Sequence, residues 1–347
     1  MNYAGKREKA IKKKRIAYLV ISIIAFIAIA ILVGYSFISN ASQWKYHVLL
    51  PSVEKRGENE LRIHYIDVGQ GDATLIELPD GKVMLIDGGD GSEEANYALL
   101  RYLNALEIET IDYLVATHAD ADHCGGLAEV LNYKRVERAF LPIVPSSTED
   151  ELDVDGAAYQ TFFTALQREN CTQEFSRREI TLSVLDGETP YTLAFLYPYT
   201  VDGEKPDDSN VSSNDSSCVI WLDYKGVSAI FTGDISDTIE RRLVKESQLG
   251  FSRKDVNLSS TEILKVAHHG SNSSTCAEWL AYLSEGVTGT QTAVISCGEN
   301  NVYGHPSIEV SQRLLAAEMD VYRTDLDGTV MITVSAEGAY AVSTQQK

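Results

Sequence analysis

Residues 16–38 contain no charged side chain and are dominated by Ile, Ala, Leu, Val and Phe. A helix needs about 20 such residues to cross the hydrocarbon core of a bilayer. A buried core helix would not be polybasic on one side and unbroken for this length, whereas here Lys6, Arg7, Lys9, Lys12, Lys13, Lys14 and Arg15 stand before it against Glu8 alone. Secretory signal peptides have a shorter apolar stretch, about 7–15 residues, and end in a small-residue cleavage site; residues 38–42 make only a weak one. The segment therefore reads as an uncleaved signal anchor. Residues 1–15 are a basic cytoplasmic head, 16–38 a single transmembrane helix and 39–60 a linker. Because basic flanks stay inside, everything beyond is expected outside the cytoplasm. Residues 61–347 are left to fold as one globular body.

That body is acidic. The chain carries 50 Asp and Glu against 30 Lys and Arg, a net charge of −20, and the cationic head makes the remainder more acidic still. Non-specific nucleic-acid affinity comes from Lys and Arg neutralising phosphates, so the composition counts against a DNA-coating protein. It leaves room for an enzyme that holds one phosphate locally. The five cysteines are odd in number and show no C-x-x-C spacing, which argues against a zinc knuckle or a disulfide-stapled scaffold.

Residues 61–68, 73–78 and 82–87 read as three strands split by turns, an antiparallel meander. Residues 93–105 have helical periodicity, and strand and helix then alternate in the manner of a layered α/β domain. Further strands are expected at 111–116, 218–223, 227–232, 263–267 and 292–296. Helices are expected at 127–131, 159–170, 275–284 and 306–318, loops at 146–151 and 202–217, and a terminal hairpin at 328–343.

The stretch richest in chemistry is the turn after the strand at 111–116. It places His118, Asp120, Asp122 and His123 between a strand end and a helix start. Alternate residues of an extended segment point the same way, so His118 and Asp120 can grip one ion, while Asp122 and His123 turn toward a second point. Imidazole and carboxylate suit Zn²⁺, Mn²⁺ and Fe. The bland alternative is a polar surface loop with a capping Asp, but four candidate ligands within six residues exceed what such a loop needs. Cys124, adjacent to them, reads as a small buried hydrophobe.

The order His118, Asp120, Asp122, His123 resembles the metal motif of the metallo-β-lactamase fold, with Asp120 where that fold commonly has a second His. This variant is similar to the hydrolase domain of the competence DNA-uptake (ComEC-type) family. The resemblance extends in order over most of residues 61–335, through Asp67 to Asp72, Leu85 to Gly89, Phe231 to Asp234, Val266 to Ser271 and Tyr303 to Pro306. It implies an αββα sandwich and two divalent metal ions, Zn or Mn. His118 and Asp120 would hold one ion, Asp122 and His123 the other, with Asp234 bridging and His268 or His269 completing the second site. Asp122, Asp234 and His305 would be catalytic, His305 protonating a leaving alkoxide or merely capping the last helix. Ser271 and Asn272 would offer donors to a phosphate oxygen. Asp72, Asp87 and Asp215 would stand behind the ligands, Asp87 orienting one of them. A further His usually precedes the bridging Asp in this fold. None does here, and Asp215 or Asn214 occupies the matching segment.

The resulting expectation is a membrane-anchored, extracytoplasmic metal-dependent hydrolase. A phosphodiesterase or nuclease acting on DNA, with DNA-uptake machinery as partner, leads. Hydrolysis of a small ester, lactam or lipid phosphodiester is one alternative, and a non-enzymatic, metal-stabilised envelope scaffold is the other.

Overall fold

The computed structural model describes residues 3–39, 44–144, 154–199 and 212–345. The loop expected at 146–151, and most of that at 202–217, lie outside them. The chain divides into two compact units, residues 1–49 and 50–347. The first is built on one helix, α1 (Tyr3–Ser39). It starts inside the basic head, where Lys, Arg, Ala and Glu are good helix formers and Gly5, a poor one, falls in the first turn. Its stretch Ile11–Ile31 is long and apolar enough to cross a membrane, and none of it is buried by protein.

The second unit opens with β1 (Leu61–Tyr65), β2 (Thr74–Glu77), β3 (Val83–Ile86), α2 (Glu93–Ala105), β4 (Thr110–Val115), the one-turn α3 (Ala121–Cys124), α4 (Leu127–Tyr133), β5 (Arg135–Leu141), α5 (Val154–Leu166) and β6 (Thr172–Phe175). It continues with β7 (Tyr191–Tyr197), β8 (Val219–Tyr224), β9 (Val227–Phe231), α6 (Asp237–Gln248), β10 (Ile263–Lys265), α7 (Ala277–Ser284), β11 (Thr292–Ile295), α8 (Ile308–Ala316), β12 (Asp320–Arg323), the one-turn α9 (Thr324–Asp327), β13 (Val330–Val334) and β14 (Tyr340–Thr344). These strands form an eight-stranded sheet, β14-β13-β1-β2-β3-β4-β5-β6, and a six-stranded sheet, β12-β11-β10-β9-β8-β7.

The sheets face each other. Ile63 and Tyr65 of β1 and Phe140 of β5 pack with Phe195, Ile220 and Phe231 of the second sheet, and the Phe140 and Phe195 rings stand 4.9 Å apart. Alternate residues serve the outer faces. Trp221, Ile230 and Leu264 meet Ile239 and Leu243 of α6, Trp279 of α7 and Leu314 of α8. On the far side, His64 Nδ1 lies 2.9 Å from the Tyr102 hydroxyl of α2. The layers are thus α, β, β, α, as expected.

Both sheets follow one plan. β1, β2 and β3 pair antiparallel, confirming the meander, and β3, β4, β5 and β6 then run parallel. Likewise β7, β8 and β9 are antiparallel, and β9, β10, β11 and β12 are parallel. The β8–β9 hairpin turns on Lys225 (φ 57°) and Gly226 (φ 82°), the pair of positive φ values that a type I′ turn demands. Parallel strands carry their loops to the carboxyl ends, where ligand sites in such sheets lie. The loops after β3, β4, β9, β10 and β11 collect there.

Apart from the one-turn helices, five elements differ from expectation: β5, β6, β7, β12 and α6 were not among the expected strands and helices. β7 is buried along nearly its whole length and so shows no alternation, and α6 turns the charged Glu240 inward.

Candidate metal centre

Asp87 ends β3 with φ 60° and is buried. Its Oδ1 accepts the Thr117 backbone N–H at 2.8 Å. Its Oδ2 accepts the Thr117 hydroxyl at 2.7 Å and His123 Nδ1 at 2.8 Å. Since Thr117 donates its only proton to Asp87, its oxygen accepts from His118 Nδ1, 3.0 Å away. On the opposite sheet, His269 Nδ1 donates to the Ser296 carbonyl at 2.9 Å. In their neutral form, the one a metal ion binds, the three histidines therefore carry their proton on Nδ1, and each then has a lone pair on Nε2.

Those lone pairs share a small buried space with carboxylates. His123 Nε2 lies 3.3 Å from His269 Nε2 and 3.2 Å from Asp234 Oδ1. His269 Nε2 lies 3.2 Å from Asp122 Oδ2 and 3.4 Å from Asp234 Oδ2. His118 Nε2 stands 3.6 Å from Asp120 Oδ2, and its ring is 4.1 Å from that of His123. The other Asp120 oxygen accepts from the Ser213 hydroxyl. His118 Nε2 and Asp234 Oδ1 are buried with no hydrogen-bond partner.

Two ring lone pairs aimed at each other repel unless a metal cation or a proton sits between them. Nitrogens about 2.1 Å from one tetrahedral ion would be about 3.4 Å apart, close to the observed 3.3 Å. The donor set is imidazole and carboxylate, which divalent transition ions accept. The residues present fit a divalent metal.

The charges reinforce one another. Burial alone would raise the carboxyls of Asp122 and Asp234, but the neighbouring His123 and His269 hold both well below the usual range. Burial likewise opposes charge on His123 and His269, and is outweighed by Asp234 with Asp87 and by Asp234 with Asp72, so both imidazoles are raised. His268 and His305 are lowered, first by burial.

His268 and His269 both have left-handed backbone, φ 50° and 51°, which is strained for side chains of this size. The two rings diverge as a result. His269 enters the cluster, while His268 Nε2 lies 3.7 Å from Asp234 Oδ2 and 3.5 Å from Asn214 Nδ2. Gly270 (φ 81°) closes the turn, and a Cβ there would stand 2.6 Å from Pro306 Cβ. His305 brings its ring to 5.6 Å from that of His268, with its buried Nδ1 unpartnered.

Asp72 occupies a different place. It is 3.8 Å from His123 Nδ1 and 3.6 Å from His269 Nδ1, the proton-bearing sides of both rings, and its Oδ2 takes a 2.5 Å hydrogen bond from buried Lys265 Nζ. Although its oxygens are close enough to count with His123, Asp234 and His269 as one metal-binding group, it lies behind the imidazoles. Asp215 accepts from the Ser236 backbone N–H at 2.9 Å, and it is the adjacent Asn214 that approaches His268. Ser271 Oγ pairs with Ser273 Oγ at 3.0 Å, and Asn272 Oδ1 accepts from Arg313 at 3.1 Å. Cys124 is buried, its thiol pushed up by burial and donating to the Ala119 carbonyl at 3.3 Å.

Thr117, Ser213 and Lys265 complete the site without having been singled out in the sequence. Lys265 left a signal, as the one charge in the apolar run 263–267.

The fold and the centre define a metal-dependent hydrolase architecture. Residues 66–159 match the family model of the Metallo-beta-lactamase superfamily, so the chain carries a metallo-β-lactamase domain. The chain is also similar to competence proteins. It is 30% identical to ComE operon protein 3 of Bacillus subtilis (strain 168), over 81% of this chain and 34% of that protein. It is 28% identical to Competence protein ComA of Neisseria gonorrhoeae, over 82% of this chain and 34% of that one. The chain thus spans about a third of the length of these curated relatives. Among solved structures it is similar to a diphosphatase from the PhnP family, at 13% identity and a TM-score of 0.40, covering 83% of this chain and 98% of that one.

Proposed function

We infer that this protein is a membrane-anchored metal-dependent phosphodiesterase that cuts DNA, with its hydrolase body outside the cytoplasm. One observation carries the chemistry: three imidazoles fixed as Nδ1–H tautomers turn Nε2 lone pairs into a buried space shared with Asp122 and Asp234, where His118 Nε2 and Asp234 Oδ1 have no partner. In this reading His118 and Asp120 hold one divalent ion, Asp122, His123 and His269 hold a second, and Asp234 serves both. Bound there, the ions would supply Lewis acidity toward a phosphoryl oxygen and a lowered pKa for water. The chain's own groups do the rest. Asp87 and Thr117 lock the imidazole tautomers, and Lys265 neutralises Asp72 behind them. His305, beside His268, exchanges a proton with the leaving oxygen. DNA as substrate is supported by relatives that include a named competence protein.

The test is hydrolysis by the full chain, purified in detergent and supplied in parallel with Mn²⁺, Zn²⁺ and Mg²⁺. Single- and double-stranded DNA are compared with methyl p-nitrophenyl phosphate and with a small ester. Metal-dependent cleavage of DNA is expected. Activity confined to the ester would replace this reading with the small-substrate one, which the acidic composition favours. No metal-dependent turnover of anything would leave a scaffold.

A further inference from the structure

The loop between β11 and α8 presents an aromatic ring to solvent beside the centre. Tyr303 is 66% exposed. Its ring stacks with His305 at 5.8 Å between centroids and 22° between planes, and His305 stacks in turn with His269 at 6.4 Å and 21°. Tyr303 thus lies two ring steps from a candidate metal ligand, within reach of a nucleotide whose phosphate rests there. The loop is fastened. Asn301 Nδ2 donates to the Gly298 carbonyl at 2.9 Å and to the His305 carbonyl at 2.6 Å, while its Oδ1 accepts the His305 N–H at 3.0 Å. Ser307 N–H donates to the Gly270 carbonyl at 2.9 Å, tying the loop to the His268–His269 turn. An exposed tyrosine on a stapled loop is an ordered platform.

Charge makes such a platform necessary. Proteins normally gain polynucleotide affinity by neutralising phosphates with Lys and Arg, and this acidic chain, at −20 overall, has little to spend that way. Stacking of a base on an aromatic face needs no net charge and accepts any base. A base inside a duplex has its faces covered by its neighbours, so the platform can take only an unpaired one.

Building on the nuclease reading above, we propose that Tyr303 seats an unpaired nucleobase next to the scissile phosphodiester, making it a positioning residue that selects single-stranded DNA or frayed ends over duplex. The experiment compares wild type, Tyr303→Ala and Tyr303→Trp on a single-stranded oligodeoxynucleotide, on the same strand carrying abasic sites, and on methyl p-nitrophenyl phosphate. In the wild type, the abasic strand should lose about ten- to a hundredfold in kcat/KM, mostly through KM, the range expected for one stacked base. In Tyr303→Ala, the intact strand should fall by a similar factor relative to the small diester, and removing bases should cost nothing more. Tyr303→Trp should restore both the efficiency and the abasic penalty. An undiminished abasic penalty in Tyr303→Ala, or equal losses on strand and small diester, would overturn the seat. A wild type that cleaves the small diester but no strand overturns the seat together with the nuclease reading, whereas DNA cleavage indifferent to Tyr303 overturns the seat alone.

Discussion

Asp87 accepts three hydrogen bonds, and through them it settles which nitrogen of two imidazoles carries the proton. The same economy makes Asp234 the residue to test. Its two oxygens face His123 and His269 separately, a task the Asn amide cannot do as an anion. Asp234→Asn is nearly isosteric, so we expect a folded protein with reduced metal content and at least about a hundredfold slower phosphodiester cleavage. Elemental analysis and initial rates check this; wild-type rates would rule out the ligand assignment. Cys124→Ser should keep its metal, since the thiol points at the Ala119 carbonyl. The cluster from His118 to His123 was legible in the sequence because its members are neighbours on one turn. The choice between His268 and His269 was not, because two consecutive left-handed residues break the alternation that lets spacing report direction. Ser213 was unreadable as a site residue and Lys265 showed only as a lone charge in an apolar run, since their partners Asp120 and Asp72 come from the other sheet.

At the scale of elements, the meander, the hairpin at Lys225 and Gly226, and the helices after β3 and β11 followed from pattern and turn chemistry. Helix α6 escaped because its inward stripe is interrupted: Glu240 is buried beside Ile239, Leu243 and Val244. The interruption has a purpose. Glu240 Oε1 accepts the Thr275 N–H at 2.6 Å and Oε2 the Cys276 N–H at 2.8 Å, so one helix caps the start of the next, α7. Burial outweighs those two donors and lifts this carboxyl from its ordinary 4.5 to about 7. A carboxyl whose folded pKa is raised binds its proton more tightly when folded. Its contribution to stability is full below pH 4.5 and is lost as pH rises through 7, an amount on the order of 3 kcal/mol. Denaturant unfolding at pH 4.5 and 7.5 should show the wild type losing that increment relative to Glu240→Gln. Parallel pH profiles would mean the group ionises normally.

For the molecule as a whole, the first unit offers a membrane-length helix and the rest is acidic. Setting aside the head's seven cations and one anion leaves 23 cations against 49 anions. If the body lies outside, external protease on intact cells should release it from the membrane fraction; protection until lysis would reverse the orientation. The layered plan has another outcome. His118, Asp120, Asp122 and His123 arrive with the first sheet, while Asp234 and His269 follow more than a hundred residues later with the second. The first sheet is itself incomplete until β13, from the far end of the chain, pairs with β1. Until residues 330–334 have been made, the chain therefore holds only fragments of a cutting edge. If the protein cleaves DNA, it is born disarmed, and it becomes dangerous only after the last strand has closed the frame.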